Sequence, residues 1–371
     1  MRFRVERDVL TDAVAWAART LPSRPPVPVL AGLLLEVEGN VLTLSGFDYE
    51  VSAQAELEVA AAEGGRTLVS GRLLAEICRS LPAAPVDVAT EGARVALRCG
   101  QARFLLPVLP VEDYPALPAM PTASGTIGSD AFAAAVGSVA VAAGRDDTLP
   151  VLTGVRVEIE DEVITLVATD RYRLAVRELR WQPETPGVSA VALVPARTLA
   201  ETAKALTTGA EVTMALAGGT AGEGLVGFRG GRRRMTTRLL DGEYFKYHSL
   251  FPAEFAGTAL VDTAALVEAV KRVSLVAARH LPVRLSFAAA GVELEAGGGD
   301  DAQASESLEA TYEGEPMTIS FNPGFLLDGL GAIDSDVARL AFTTPSRPAV
   351  VTGKDPAGDY RYLLMPVRLS G

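Results

Sequence analysis

The chain has 371 residues, 49% of them hydrophobic, which is enough for two or three domains that each bury a core of their own. This apolar content excludes disorder as the default state. The formal net charge of −12 argues against a protein that simply coats DNA, because neutralising phosphates normally takes a basic surface. An acidic protein can nevertheless bind DNA if its few cations lie together on one surface and its acidic residues lie elsewhere.

The N-terminal residues and the two cysteines bear on location. Residues 1–6 carry mixed charge and no apolar core of a signal peptide, and the longest apolar runs fall far short of the ~20 residues of a membrane helix. Cys78 and Cys99 have neither motif spacing nor metal-binding neighbours. We therefore expect a cytoplasmic protein with reduced, buried cysteines, no membrane segment, no metal and no cofactor.

The chain repeats one order of predicted elements three times. Each third opens with a helix-like segment, at residues 5–14, 127–136 and 261–270. An alternating apolar stretch follows in each third, at residues 29–37, 151–159 and 283–294. A second short helix signal and a closing apolar strand complete the third. An internal repeat of this period predicts three similar domains and argues against a single catalytic centre.

The predicted helices lie at residues 5–21, 72–81, 129–143, 196–206, 263–278 and 323–330. Asp8 or Thr11 is expected to cap the first helix, and a pair of strands is expected at 49–59. Proline-rich joints at 115–125 and 251–257 separate the thirds, because proline breaks a helix and stiffens a connection. We therefore predict an α+β fold whose helices share one face of each sheet, with three domains at residues 1–120, 126–248 and 254–371.

Motifs that carry chemistry are sparse. His248 and His280 lie in different segments, and the sequence contains no Gly-x-Ser-x-Gly, His-Glu-x-x-His or Cys-x-x-Cys motif. The glycine-rich residues 217–224 lack the lysine and hydroxyl of a phosphate loop, and residues 297–303 lack the ligand spacing of a calcium loop. Both stretches favour hairpin turns. We therefore expect no catalytic residues, and an enzyme is the rival interpretation.

Three segments resemble one known family. Residues 168–176 read Ala-Thr-Asp-Arg-Tyr-Arg-Leu-Ala-Val, residues 104–107 read Phe-Leu-Leu-Pro ahead of 112–118, and residues 362–369 read Tyr-Leu-Leu-Met-Pro-Val-Arg-Leu. Each segment is a weak signal alone. Together with the threefold repeat they resemble, from end to end, the DNA polymerase III beta subunit, the bacterial replicative sliding clamp. The composition, rich in arginine and alanine, resembles its actinobacterial branch.

The resemblance implies a processivity factor for DNA replication. Members of the family are head-to-tail homodimers whose subunits each give three clamp domains to a six-domain ring, with helices lining the hole and sheets outside. The ring encircles duplex DNA without reading its sequence and tethers the replicative polymerase, the clamp loader and other proteins with clamp-binding motifs. Polymerase activity resides in those partner subunits. Topological enclosure needs no tight phosphate contacts, which reconciles a DNA ring with an acidic chain.

The resemblance also assigns roles to cations and to a subunit seam. By the repeat, the six predicted helices would line the hole, and the cations on them or on an adjoining loop that are expected to face DNA are Arg24, Arg72, Arg79, Arg197, Lys204, Lys271 and Arg272. Family position favours Arg24 and Arg197 among them, and the alternative is that all of these are merely solvated helix charges. The seam is expected where Phe104 and Leu106 meet a helix around Leu275 of the partner. Paired strand edges at that seam would protect both edges.

A hydrophobic pocket is a further implication, since peptides from the polymerase and other partners insert apolar side chains there in this family. Carried over by position, the pocket comprises Leu152, Thr169, Arg171, Tyr172, Arg173, Leu174, Phe245, Ser249, Leu250, Asn322, Phe325, Leu363, Met365, Pro366, Val367 and Arg368. Aliphatic walls, a soft methionine and rim arginines suit a promiscuous socket. Alternation allows only one face of the C-terminal strand to reach the pocket, and the other face is expected to be sheet core.

The sequence departs from the family at the mouth of this pocket. Where the family has Gly-x-Phe-Pro, residues 242–245 read Gly-Glu-Tyr-Phe, so Phe245 replaces a pocket-lining proline and adds volume. One hypothesis is a specialised second-copy clamp that rejects a pocket-binding inhibitor, a form of antibiotic resistance, while replication continues. Neutral drift and a non-replicative, ring-shaped binding module are the alternatives.

Overall fold

The computed structural model describes residues 1–207, 209–217, 224–277, 281–297 and 302–367. It divides into two compact units. Unit 1 comprises Met1–Asp130, Gln182–Thr185 and Glu201–Leu239. Unit 2 comprises Ala131–Trp181, Pro186–Ala200 and Leu240–Gly371. The middle third of the sequence is therefore divided between the two units.

The described residues form six α-helices: α1 (Arg7–Ala17), α2 (Gly71–Ser80), α3 (Ser129–Ala140), α4 (Ala196–Ala205), α5 (Thr263–Val273) and α6 (Pro323–Leu330). All six lie where the repeat predicts helices, although most end earlier than predicted. Short 3-10 turns at Ala18–Thr20 and Ser274–Val276 continue α1 and α5. No helix of the described residues combines the length and hydrophobicity needed to cross a membrane.

Each third of the chain contributes nine strands among the described residues. The first third contains β1 (Arg2–Val5), β2 (Gly32–Glu38), β3 (Val41–Phe47), β4 (Val51–Glu58), β5 (Ala60–Glu63), β6 (Gly65–Ser70), β7 (Val86–Glu91), β8 (Arg94–Cys99) and β9 (Ala102–Leu109). The second contains β10 (Ala123–Gly128), β11 (Gly154–Glu160), β12 (Val163–Thr169), β13 (Arg173–Arg180), β14 (Gln182–Pro183), β15 (Ser189–Pro195), β16 (Glu211–Leu216), β17 (Leu225–Gly230) and β18 (Arg233–Arg238). The last contains β19 (Gly257–Asp262), β20 (Val283–Ala288), β21 (Gly291–Gly297), β22 (Gln303–Leu308), β23 (Ala310–Gly314), β24 (Met317–Phe321), β25 (Val337–Phe342), β26 (Ala349–Gly353) and β27 (Tyr360–Leu364).

The predicted cap of the first helix is wrong. α1 begins at Arg7, so that Asp8 and Thr11 both lie inside it. The Thr11 hydroxyl is within hydrogen-bond distance of the carbonyl oxygens of Arg7 and Cys78, at 2.8 and 3.1 Å. It therefore bonds within the helix and across to the end of α2 instead of capping α1.

Two turn predictions have different outcomes. The strand pair predicted at 49–59 is the single strand β4, because the chain turns at Asp48, whose carboxylate accepts the amide hydrogens of Glu50 and Val51 at 3.0 and 2.7 Å. The hairpins predicted at 217–224 and 297–303 connect strands that do pair antiparallel, β16 with β17 and β21 with β22. The turns themselves, at 218–223 and 298–301, lie outside the described residues.

Unit 1 is built on one sheet of fourteen strands, in the order β14-β10-β16-β17-β18-β4-β3-β2-β6-β9-β8-β7-β1-β5. α1 and α2 pack against each other and against β2, β3, β4 and β6, so the predicted placement of two helices on one face of the sheet is confirmed for the first third. Trp16 of α1 is 2% exposed, and its indole N–H donates to the carbonyl of Gln54 on β4 at 3.1 Å. One aromatic side chain thus fixes the helix to the sheet.

Unit 2 contains a sheet of nine strands, in the order β15-β11-β12-β13-β27-β26-β25-β19-β23, and a sheet of four, β22-β21-β20-β24. α5 packs against α6 and against strands of both sheets. The large buried side chains Phe287 and Phe342 pack with their planes tilted by 43° and their ring centroids 4.8 Å apart, which joins the two sheets through aromatic packing.

One strand pairing recurs between successive thirds. In unit 1 the fourth strand of the first third, β4, pairs antiparallel with the ninth strand of the second, β18. In unit 2 the fourth strand of the second third, β13, pairs in the same way with the ninth strand of the last, β27. Among the described strands, β22 pairs only with β21, and residues 102–107 of β9 pair only with β8. The fourth strand of the last third and the ninth strand of the first therefore lack the partner that their counterparts have.

Candidate functional site

Unit 2 contains a cavity of about 400 Å³, which we call the first cavity. It is lined by Leu152, Thr169, Arg171, Tyr172, Arg173, Leu174, Phe245, Ser249, Leu250, Arg347, Pro348, Leu363 and Met365. These residues come from the turn between β12 and β13, the segment that precedes β19, the connection of β25 to β26, and the end of β27. Most of the lining is apolar, which suits hydrophobic side chains of a ligand.

The turn between β12 and β13 is held by its own side chains. The Asp170 carboxylate accepts the amide hydrogens of Tyr172 and Arg173, both at 3.0 Å. The Thr169 hydroxyl oxygen accepts the amide hydrogen of Arg171 at 3.2 Å and donates its own proton to the Arg173 carbonyl at 2.5 Å. Arg171 lies in the left-handed region, with φ of 79°. These four bonds fix a conformation that a residue with a side chain rarely adopts.

Arg173 forms the polar floor of the site. Its side chain is only 6% exposed, and its guanidinium donates to Asp170 at 3.0 Å, to Asp328 of α6 at 2.5 Å and to the carbonyl of Val141 after α3. The guanidinium carbon also lies 4.2 Å from the centroid of the Phe325 ring. Through these hydrogen bonds and the contact with the ring, the Arg173 guanidinium connects the turn between β12 and β13, α6 and the end of α3 beside the cavity.

The wall opposite the turn is formed by the segment 244–251. Tyr247 is 2% exposed, packs with Leu174 and Leu363, and donates its hydroxyl proton to Glu158 of β11 at 2.8 Å. Burial, together with the facing Glu158 carboxylate, raises the pKa of Tyr247 above its ordinary value, so the hydroxyl remains a donor. This anchor holds the neighbouring Phe245, whose side chain is 37% exposed at the cavity mouth.

Phe245 is itself supported from behind. Its ring stacks on that of Tyr244 at 4.7 Å between centroids, with the planes 25° apart. The Arg156 guanidinium lies 5.8 Å from the Tyr244 centroid and 2.5 Å from the Glu158 carboxylate. The phenyl ring at the mouth is therefore the outer member of a packed group.

A second cavity, of about 600 Å³, shares Leu152, Arg171, Tyr172 and Arg173 with the first. Its other lining residues are Ala143, Gly144, Arg145, Asp146, Leu149, Asp170, Asn322, Gly324, Phe325 and Asp328. Asn322 caps α6, since its side-chain oxygen accepts the Phe325 amide hydrogen at 3.1 Å. The rings of Tyr172 and Phe325 lie 6.4 Å apart and stack across this cavity. The two cavities form one continuous groove in unit 2.

The structure brings together most of the pocket residues predicted from the sequence. Asn322 and Phe325 line the second cavity, and eleven of the predicted residues line the first: Leu152, Thr169, Arg171, Tyr172, Arg173, Leu174, Phe245, Ser249, Leu250, Leu363 and Met365.

Three of the predicted pocket residues remain. Pro366 and Val367 follow Met365 directly, and the Val367 amide donates to the Ser320 carbonyl at 2.8 Å, so their place in the pocket stays a prediction. Arg368 lies outside the described residues. Arg347 and Pro348 line the first cavity but were not among the predicted pocket residues. They lie between β25 and β26, and only the pairing of β26 with β27 brings that connection to the cavity.

The predicted DNA-facing cations of unit 1 are exposed around α1 and α2. Arg72 and Arg79 lie seven residues apart on α2, and Arg24 lies on the loop after α1, all on the surface. The Arg72 guanidinium donates to the carbonyl of Pro22 at 3.1 Å, which places it beside the loop of Arg24. None of these three is in an ion pair with a described acid, so their charges face solvent. Lys204 of α4 is also exposed in this unit.

The predicted cations of unit 2 differ in their partners. Lys271 and Arg272 on α5 are exposed, but Lys271 lies 2.8 Å from Glu268, and Arg272 binds both carboxylate oxygens of Glu306 on β22, at 3.0 and 2.6 Å. These acids offset most of their charge. Arg197 is an exposed residue of α4. Arg279, another helix cation in the sequence, lies outside the described residues.

The predicted seam residues are exposed to different extents. Leu275, in the turn after α5, is 83% exposed, the highest value among the large hydrophobic residues described. On β9, Phe104 is half-buried and Leu105 is 41% exposed, whereas Leu106 is 1% exposed. The side chain of Leu106 belongs to the core of unit 1, which corrects its assignment as a contacting side chain. What β9 does offer is the unpaired backbone of residues 102–107.

Comparison with known sequences matches all three thirds to one family. Residues 1–118 match the DNA polymerase III beta subunit N-terminal domain, residues 126–246 its central domain, and residues 248–368 its C-terminal domain. The beta sliding clamp of Streptomyces coelicolor is 61% identical, over 100% of both chains. The beta sliding clamp homolog GriR of Streptomyces muensis is 48% identical, over 99% of both chains.

A solved structure is similar over the same length. The DnaN sliding clamp, DNA polymerase III subunit beta, of Pseudomonas aeruginosa bound to griselimycin is 28% identical, with a TM-score of 0.90 and coverage of 100% of both chains. The similarity therefore extends through every domain, in sequence and in structure.

Proposed function

We propose a function for this chain on the premise that it belongs to the family of the DNA polymerase III beta subunit, the beta sliding clamps. It is a sliding clamp of DNA replication and has no enzymatic activity of its own. The observation that carries this conclusion is the match of all three thirds to the three domains of one family. We place the domain boundaries at residues 1–120, 126–248 and 254–371.

A cytoplasmic location is the second part of the proposal. Both cysteines are free and buried, and burial raises the pKa of the Cys78 thiol to about 12. A thiol in that state is a small core residue and has little reactivity. The reducing cytoplasm, where DNA replication takes place in bacteria, fits such residues.

A second copy of the chain completes the ring in this proposal. The pairing of β4 with β18 and of β13 with β27 leaves β22 and β9 without the corresponding partner among the described strands. A head-to-tail homodimer supplies that partner twice, with β22 of each copy against β9 of the other. Such pairing closes two exposed sheet edges and puts six domains in one ring, helices inside and sheets outside. Exposed Leu105 on β9 and Leu275 beside β22 support this seam.

Duplex DNA is the proposed occupant of the ring, bound without regard to sequence. Arg24, Arg72 and Arg79 present unpaired charges around the helices of unit 1. The exposed residues Lys204 and Arg197 are also proposed to face the duplex. Lys271 and Arg272 are weaker candidates because Glu268 and Glu306 neutralise them. A few exposed cations attract phosphates at long range and still allow the duplex to slide.

The continuous groove of unit 2 is proposed to bind peptides of the replicative polymerase, the clamp loader and other clamp-binding proteins. The support is its chemistry: apolar walls, a methionine at the end of β27, and a backbone turn fixed by Thr169 and Asp170. A preformed apolar groove with a flexible thioether can accept related peptides of different sequence.

Primer extension tests this function. A polymerase and clamp loader from the Streptomyces coelicolor system would copy a long primed single strand with and without the chain. We expect the chain to lengthen the products of a single binding event, because a loaded ring keeps the polymerase on its template. Products of equal length would contradict the proposed function.

A second proposal concerns Phe245. The phenyl ring, stacked on Tyr244 and standing where the family has proline, narrows the mouth of the first cavity. We propose that it weakens the binding of a clamp-binding compound such as griselimycin, as a specialised second-copy clamp would require. The similarity to the homolog GriR supports a search for such a property, and the higher identity to the Streptomyces coelicolor clamp supports an ordinary clamp instead.

Calorimetric titration of griselimycin into the wild type and into Phe245→Pro distinguishes a specialised second-copy clamp from an ordinary clamp. We expect at least about tenfold tighter binding to Phe245→Pro, since the substitution removes the ring and restores the backbone constraint. Phe245→Leu is the matched variant that reduces volume without adding proline. Equal affinity of all three proteins would contradict a role of Phe245 in rejecting the compound.

A further inference from the structure

Unit 2 contains a third cavity, of about 680 Å³, that is separate from the groove. It is bordered by β13, the turn after α6, the hairpin that joins β26 to β27, and the start of β27, and it shares no lining residue with the first or second cavity. Its volume is in the range of small-molecule sites. The peptide and DNA roles proposed above do not involve its residues.

Tyr360, the first residue of β27, lines this cavity and is 5% exposed. Its hydroxyl is enclosed, and no described residue forms a hydrogen bond with it. Tyr362, two residues along the strand, instead donates its hydroxyl proton to the Phe325 carbonyl at 2.9 Å. Burial raises the pKa of Tyr360 well above its ordinary value, so the hydroxyl keeps its proton. Because a buried hydroxyl without a partner is costly, a ligand that accepts this proton would be favoured.

The part of the cavity next to Tyr360 is positively charged. Arg177, the partner of Tyr360 in the pairing of β13 with β27, is half-buried, and its guanidinium carbon lies 6.0 Å from the Tyr360 ring centroid. Arg173 and Asp328 also influence the Tyr360 hydroxyl electrostatically, but they bond to each other at 2.5 Å. Since no described acid forms an ion pair with Arg177, its charge is the one left to neutralise beside the hydroxyl.

The rim of the cavity is acidic. Asp334 lies in the turn after α6, and Asp355 and Asp359 lie in the hairpin between β26 and β27, all three exposed. The Asp355 carboxylate accepts the amide hydrogen of Ala357 at 2.9 Å, and none of the three acids forms an ion pair within the described part of the chain. Exposed Lys354 offsets one of these charges, which leaves the rim with a negative excess.

We propose that the third cavity binds a small zwitterion, such as a free amino acid, whose carboxylate lies against Arg177 and Tyr360 and whose ammonium group lies toward the acidic rim. Hydrogen bonds from a guanidinium or a hydroxyl to a carboxylate are charge-assisted and short. The rim repels a simple anion and Arg177 repels a simple cation, whereas a zwitterion is attracted by both.

Three probes with the same six-carbon chain test this preference: 6-aminohexanoate carries both charges, hexanoate only the carboxylate, and hexylamine only the ammonium group. Saturation-transfer NMR titrations give the affinity of each probe for the full-length protein at low and high salt. We expect 6-aminohexanoate to bind at least about fivefold tighter than either of the others, and we expect salt to reduce that preference.

Two variants assign the carboxylate end. Arg177→Met should lower the affinity for 6-aminohexanoate to that for hexylamine. Tyr360→Phe removes only the hydroxyl, so we expect at least about twofold weaker binding of 6-aminohexanoate, with an unchanged or higher thermal midpoint in the absence of ligand, because the lost group had no partner. Arg180→Met is the matched control, since Arg180 also lies on β13, is 82% exposed and does not line the cavity.

A third variant assigns the ammonium end. Asp334→Asn with Asp359→Asn should lower the affinity for 6-aminohexanoate to that for hexanoate. Glu309→Gln with Glu313→Gln is its control, because it removes the same charge from exposed residues that do not line the cavity.

A preference for 6-aminohexanoate that is lost in the cavity variants and kept in both controls supports the zwitterion site. Equal binding of the three probes to the wild type, or no measurable binding of 6-aminohexanoate, overturns it and leaves the Tyr360 hydroxyl to water. A preference that the cavity variants retain, or that the controls lose to the same extent, also overturns it. All these measurements use the protein without DNA or peptide, so they are independent of the clamp function.

Discussion

Arg173 joins three elements through one buried guanidinium, which contacts Asp170 beside β12, Asp328 on α6 and the carbonyl of Val141 after α3. Replacing Arg173 by methionine keeps the length of the side chain and removes every donor. We expect a loss of about 2–3 kcal/mol in the stability of unit 2, less than for a fully buried pair because Asp328 is 43% exposed.

Thermal unfolding measures this loss as a lower midpoint of the transition in which unit 2 unfolds, since a multidomain chain need not unfold in one step. Arg180→Met on the same strand is the control, because its exposed side chain should change stability by less than about 0.5 kcal/mol. Equal shifts for both variants would contradict the role of Arg173 as a buried tie.

Residues near the site differ in how far sequence alone could place them. The turn at Thr169–Arg173 was predictable, because a threonine and an aspartate beside a strand end bind local amides. Arg347 was not, since its place beside β27 depends on the pairing of β25, β26 and β27, which are separated along the chain by turns. The burial of Leu106 was likewise hidden, because alternation on an edge strand gives no sign of which face meets the core.

At the scale of elements, the repeat predicted all six helices, and the structure explains why their ends moved. α1 and α5 both pass into 3-10 turns within the predicted span, and these turns finish the helix with a tighter hydrogen-bond pattern. The apolar periodicity of the sequence continues through such a turn, so it cannot mark where the α-helix ends. The order of the strands was beyond prediction, because it joins β4 to β18 and β13 to β27 across thirds.

The helices and their adjoining loops carry the cations assigned to DNA, and charge reversal tests that assignment. Arg24→Glu with Arg197→Glu should reduce the amount of clamp retained on loaded circular DNA and lower the salt dependence of retention, because fewer phosphates are neutralised. Arg94→Glu with Arg180→Glu changes the net charge equally on exposed strand residues. Unchanged loading and salt dependence in the helix variant, relative to this control, would remove Arg24 and Arg197 from the DNA-facing set.

At the scale of the whole molecule, the recurring strand pairing predicts a closed dimer, and Leu275 tests its seam. Leu275→Asp puts a charge at the most exposed large hydrophobic position described, beside β22. We expect dimer dissociation to rise at least tenfold, as for a central apolar contact of an interface. Light scattering after size-exclusion chromatography measures this, and Val191→Asp, at a residue 58% exposed on β15, serves as control. An unaltered dimer in Leu275→Asp would move the seam elsewhere.

A ring that holds DNA by enclosing it should be retained on circular DNA and lost from linear DNA, and comparing the two tests the enclosure. The clamp is loaded on a nicked circular plasmid, the sample is divided, and one half is cut once with a restriction enzyme before gel filtration at moderate salt. We expect the clamp to stay with the circular DNA and to slide off the linear DNA. Equal retention on both, or release from both, would contradict topological enclosure.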